Sequence, residues 1–120
     1  MNKNTLVFVA STKEERYSYK ATLKLKEAGH KVYPVGFREG NINGLEIITN
    51  LPQIKELDTI TLYINPKRQE EFYDYILSLK PKRIIFNPGT ENPKLYQILE
   101  ENNIEFEAAC TLVLLSTNQY

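Results

Sequence analysis

The feature that most constrains this chain is a regular alternation. Five short apolar runs are separated by stretches that suit helices. Thr5 to Ala10 (TLVFVA) is β-branched and aromatic, and reads as a buried strand. Lys31 to Val35 (KVYPV) follows Gly29-His30, and Thr59 to Ile64 (TITLYI) follows Asp58. Arg83 to Phe86 (RIIF) follows Lys80-Pro81-Lys82, and Ile104 to Ala109 (IEFEAA) follows Asn102-Asn103. Strands joined through helices run parallel, because a parallel pair needs a long crossover. The order predicts an α/β fold: a Rossmann-like three-layer sandwich with a five-stranded, mainly parallel sheet and helices on both faces.

The first crossover carries two periodicities. Tyr17, Tyr19, Ala21, Leu23 and Leu25 alternate with polar residues, which is a strand pattern. Tyr17, Ala21, Leu25 and Ala28 also fall at helical spacing, and Ser11 and Thr12 precede Glu14 and Glu15 at capping-box distance. Gly29 sits where a helix C-cap belongs. The parallel crossover decides for a helix that starts directly after Ser11 and Thr12. A longer helix is expected over roughly Lys67 to Leu79, the third in chain order, with the stripe Phe72, Tyr75, Ile76 and Leu79 and a stop at Pro81. A fourth runs from Pro93 to about Asn102. Leu45 to Ile48 reads as a short strand and Leu51 to Leu57 as a short helix. The tail run Leu112 to Leu115 is too apolar to be free, and is expected to pack as a short helix or edge element.

With 120 residues the chain fits a single domain over 1–120. Fifteen basic and fifteen acidic residues cancel, which argues against duplex nucleic acid or an anionic membrane surface as partner. A bound anion must therefore be held by local geometry. One cysteine, Cys110, forms no internal disulfide and fits a reducing, cytoplasmic setting. One histidine, His30, leaves no multi-histidine metal site.

In an open parallel sheet, ligands lie beyond the carboxyl ends of the strands. After the first strand, Ala10-Ser11-Thr12-Lys13 leads to Arg16 and Tyr17. A helix N-terminus there suits a phosphate; the plainer reading is that Ser11 or Thr12 only caps the helix. The dinucleotide signature G-x-G-x-x-G is absent, and no glycine precedes Gly29. After the second strand stands Gly36-Phe37-Arg38, where an NAD site wants an acid. Arg38 suits a ribose phosphate, as in NADP or the 3′-phosphate of CoA, or is simply a loop arginine. Phe37 flanks an adenine or packs. Asn65-Pro66 ends the third strand, with Asn65 either an N-cap or a ligand contact. Asn87-Pro88-Gly89 ends the fourth and is a turn signal. Cys110 lacks a base and reads as packing rather than as a nucleophile.

Leu6-Val7-Phe8-Val9-Ala10-Ser11, Glu15-Arg16-Tyr17-Ser18-Tyr19 and Gly29-His30-Lys31-Val32-Tyr33-Pro34-Val35 resemble the opening of small stand-alone CoA-binding domain proteins. Asp58 before Thr59 to Ile64, the Asn87-Pro88-Gly89 turn and Cys110 extend the resemblance over nearly the whole chain. It implies a fold related to the CoA-binding part of succinyl-CoA synthetase. It also implies CoA or acyl-CoA as ligand, with the pyrophosphate at Ala10-Ser11, Thr12, Arg16 and Tyr17 nearby, and the adenosine end near Phe37 and Arg38. Asn65, Pro66, Asn87, Pro88 and Gly89 complete the cleft, and no catalytic residue carries over. Val9 departs from the family's usual glycine, which weakens the expected phosphate grip. The leading expectation is a non-catalytic carrier or regulatory module for a small nucleotide ligand, with a homodimer open. The competing readings are an NADP-type oxidoreductase and an interaction domain that has lost its ligand.

Overall fold

The structure is a computed structural model that describes residues 2–120. Its chain order is β1 (Thr5–Phe8), α1 (Tyr17–Glu27), β2 (Val32–Val35), β3 (Asn41–Ile42), β4 (Leu45–Glu46) and β5 (Thr59–Leu62). Then come α2 (Pro66–Gln69), a 3₁₀ turn (Glu70–Phe72), α3 (Tyr73–Ser78), β6 (Arg83–Phe86), α4 (Pro93–Glu101), β7 (Glu105–Ala108) and α5 (Thr111–Ser116). Five strands form one parallel sheet in the order β2-β1-β5-β6-β7. The expected α/β Rossmann-like architecture is therefore the one observed.

Side chains alternate across the sheet and divide the core in two. Leu6 and Phe8 of β1 join Ile60, Leu62, Ile84 and Phe86 against Ile76 and Leu79 of the α3 region and Leu95 and Leu99 of α4. Val7 points the other way, toward Leu25 of α1, with Leu115 of α5 packed at the margin. The buried face of α1 is Ser18, Ala21, Thr22 and Leu25, which is helical spacing. Helical periodicity thus prevails over the alternating reading of this segment.

Several expected boundaries move. The apolar runs at Thr5, Thr59 and Ile104 each form only a four-residue strand. The stretch from Lys67 to Leu79 is not one helix but α2, a 3₁₀ turn and α3, since Phe72 (ψ 7) leaves the helical path. Residues 51–57 form no helix; Leu51 and Glu56 have positive φ (51° and 57°), which an α-helix does not allow. The expected strand at 45–48 is a two-residue arm of a hairpin with β3, plus one bridge from Ile48 to Val35. The tail does pack as a helix, α5.

At the amino ends of the strands, Tyr120 closes the sheet. Its hydroxyl pairs with Thr5 Oγ1 at 2.6 Å, and Arg83 lies over its ring. His30 packs beside that ring and accepts a hydrogen bond at Nδ1 from the Lys3 amide at 2.9 Å.

Candidate functional site

The sheet reverses its growth at β1: β2 is added on one side and β5 on the other. A crevice forms at such a switch point, because the loops after β1 and β5 diverge onto opposite faces. Val9 starts the loop after β1 with φ of 83°, a left-handed conformation that a β-branched residue rarely adopts. The turn aims the Ala10 amide at the Val35 carbonyl, 2.8 Å away. Gly36 permits this approach, since a Cβ there would lie 2.6 Å from the Ala10 carbonyl oxygen.

The loop then differs from expectation. Ser11 and Thr12 do not cap a helix. Ser11 Oγ accepts from the Lys13 amide at 3.1 Å, and Arg16 N–H closes a turn on the Lys13 carbonyl. The methyl of Thr12 rests against Gly40, where no Cβ would fit. The helix therefore begins at Tyr17, with Arg16 as its N-cap and no side chain bonded to its first turn. No acidic residue stands in that turn. Its open N–H groups and positive dipole end face the crevice beside Tyr17 and Ser18.

Three hollows run along the carboxyl ends of the strands and share walls. The first, about 260 Å³, is lined by Val9 to Lys13, Arg16, Phe37, Arg38 and Glu39. The second, about 290 Å³, has Val9, Ser11 and Arg16 in common with it, and adds Tyr17, Ser18, Tyr63, Asn65, Pro88, Gly89 and Thr90. The third, about 410 Å³, continues past Tyr17, Tyr63, Asn87 and Pro88 to Cys110, Leu112 and Val113. The large apolar side chains left exposed among the described residues are Tyr17, Phe37 and Val113, and all three border this groove. A further hollow beside β7 is walled by Glu100, Glu105 and Glu107 against the single cation Arg83, a poor setting for phosphates.

Ala10, Ser11, Thr12, Arg16, Tyr17, Phe37, Arg38, Asn65, Asn87, Pro88 and Gly89 thus all line the groove, and Pro66 does not. Asn65 caps α2, its Oδ1 accepting from the Arg68 amide at 3.0 Å. Gly89 (φ 93) holds the turn that carries Pro88 and Thr90 to the cleft. Asn87 is a tie rather than a free contact. Its Nδ2 donates to Thr61 Oγ1 (2.7 Å) and the Leu62 carbonyl (2.9 Å), and its Oδ1 accepts from the Thr111 amide. Gln69 spans α2 and the Gly89 turn in the same way, donating to the Ile64 and Thr90 carbonyls.

Sequence reasoning passed over Ser18, Tyr63, Leu112 and Val113 as wall residues. Tyr63 was hidden inside an apolar run, yet it sits one residue beyond β5. Burial pushes its phenol up to about 12, so it is a neutral donor at physiological pH. Arg68 was also missed; its guanidinium lies 4.8 Å from the Phe37 ring centroid. Cys110 borders the apolar end of the groove, while His30 is at the opposite end of the sheet, so no imidazole serves that thiol.

The chain matches the CoA binding domain over residues 3–116. It belongs to that family. The fold of this CoA-binding domain recurs in solved structures. One, of a protein described only as uncharacterized, is 51% identical with a TM-score of 0.97, over 100% of this chain and 99% of the other. A Thermus thermophilus protein is 22% identical with a TM-score of 0.84, over 98% of this chain and 90% of its own. A hypothetical protein from Pyrococcus horikoshii OT3 is 25% identical with a TM-score of 0.75, over 89% and 75%. Among curated proteins none matches the CoA-binding domain described here. No group of His, Cys, Asp or Glu suited to a metal ion occurs among the described residues, and no helix is long and apolar enough to cross a membrane.

Proposed function

We propose that the chain is a small CoA-binding module that holds its ligand rather than transforming it. The observation that carries this reading is the first turn of α1. It has no side-chain cap and no acid, and opens into the hollow between the loops after β1, β5 and β6. Such a terminus stabilises a phosphate through its N–H groups and dipole. In this reading the CoA pyrophosphate lies at Ser11, Arg16 and Ser18. The 3′-phosphate faces Arg38, with Lys13 on the same wall, and the adenine lies beside Phe37. Tyr63, Pro88 and Gly89 flank the start of the pantetheine arm. The lone thiol fits a protein of a reducing compartment such as the cytoplasm.

The test is isothermal titration with CoA, dephospho-CoA and NADP. Saturable CoA binding is expected, at least tenfold weaker for dephospho-CoA and weaker again in Ser11→Ala. Failure of all three ligands to bind would overturn the reading.

A further inference from the structure

We propose that the apolar end of the groove takes the hydrocarbon of a short-chain acyl thioester of CoA, so that the preferred ligand is acyl-CoA rather than free CoA. The inference rests on the CoA-binding reading and adds the class of the ligand's far end. Helix α5 carries it. The sequence of this helix is TLVLLS, and its one buried residue is Thr111, a polar one. Leu112, Leu114 and Leu115 stay half-buried and Val113 is 55% exposed. Of its aliphatic residues Leu115 alone packs against a core cluster; Leu112, Val113 and Leu114 do not.

Leu112 and Val113 instead line the third hollow, together with Tyr17, Tyr63 and Pro88. That hollow adjoins the one where α1 begins, with Tyr17, Tyr63 and Pro88 common to both linings. The arm of CoA carries amides that need hydrogen-bond partners, and the Leu112 and Val113 side chains offer carbon alone. Thr61 and Thr111 lie behind this wall with their hydroxyls paired to each other at 2.7 Å, and the Asn87 side chain is fully engaged. Beyond the thiol, therefore, the site rewards methylenes and not a free S–H. A space of about 410 Å³ shared with the end of the arm suits a chain of a few carbons.

Titration with CoA and butyryl-CoA tests this. Half-burying three carbons at about 0.8 kcal/mol each corresponds to roughly tenfold tighter binding of butyryl-CoA. In Val113→Asp, and independently in Leu112→Ser, the ratio of the two affinities is expected to fall to about one. Equal affinities in the unaltered protein, or a preference that survives both substitutions, would overturn the acyl assignment while leaving the CoA-binding reading in place. Binding of neither ligand would overturn both.

Discussion

The guanidinium of Arg68 lies over the ring of Phe37, 4.8 Å from its centroid, while Phe72 stacks on the same ring at 5.6 Å. The ring is thus braced and its position fixed, although Phe37 is 41% exposed. An adenine that stacks on Phe37 takes the place of the guanidinium. Phe37→Ala is then expected to weaken CoA and dephospho-CoA by the same factor, about tenfold, because it removes base stacking and leaves the phosphate contacts of the two ligands untouched. Arg38→Ala is expected to weaken CoA only. Titration of both variants with both ligands separates the base contact from the phosphate contact.

Val9 inverts an ordinary order of stability. A β-branched residue at φ 83° carries strain of about 1–3 kcal/mol. Val9 also packs partly against the core, so truncation removes contacts. Val9→Ala loses the contacts and keeps the strain, whereas Val9→Gly loses both. The glycine variant is expected to be the more stable of the two by about 1 kcal/mol, the reverse of the usual strand or helix result. Urea midpoints measure it. The same glycine widens both hollows that Val9 borders, and a rise in CoA affinity is expected in titration.

Asn87 holds three backbone segments together. In Asn87→Ala the Leu62 carbonyl and the Thr111 amide lose their partner in a buried setting, for a loss of about 3 kcal/mol. Asn87→Asp is not expected to rescue it, because a carboxylate has no donor for the Leu62 carbonyl. Denaturant unfolding of the two variants checks this.

His30 makes the fold acid-sensitive. Burial, with the positive charge of the N-terminus, Lys3 and Arg83, pulls its pKa below the usual 6.5, and the Lys3 amide needs Nδ1 unprotonated. The folded pKa lies below the unfolded one, so the unfolded chain binds more protons as pH falls beneath 6.5. Stability is therefore present above 6.5 and declines as pH falls through the depressed folded value. A thermal melt series against pH is expected to show this decline, and His30→Gln is expected to flatten it.

The architecture was legible because β-branched runs bounded by Gly, Pro and Asn leave few alternatives. The start of α1 was not. Ser11 accepts from an amide two residues on, as a cap would, but the bond closes a local turn. What postpones the helix is tertiary: Thr12 seats on Gly40, which lies 28 positions away in the chain. Loop residues that follow strands were found by rule, since the fold places them. Leu112 and Val113 escaped because an apolar run looks the same whether it faces a core or a ligand. The Asn87 side chain was expected at the cleft wall, and it borders the groove, yet its bonds show that it holds the wall up.

The three side chains that border the groove are also the large apolar groups the surface presents to other molecules, among the described residues. They are Tyr17, Phe37 and Val113, spread along the groove from its first hollow to its third. A ligand long enough to run through all three hollows would cover all three. Filling the groove is then expected to reduce the apolar surface the molecule presents, and the ligand-free form to present the most.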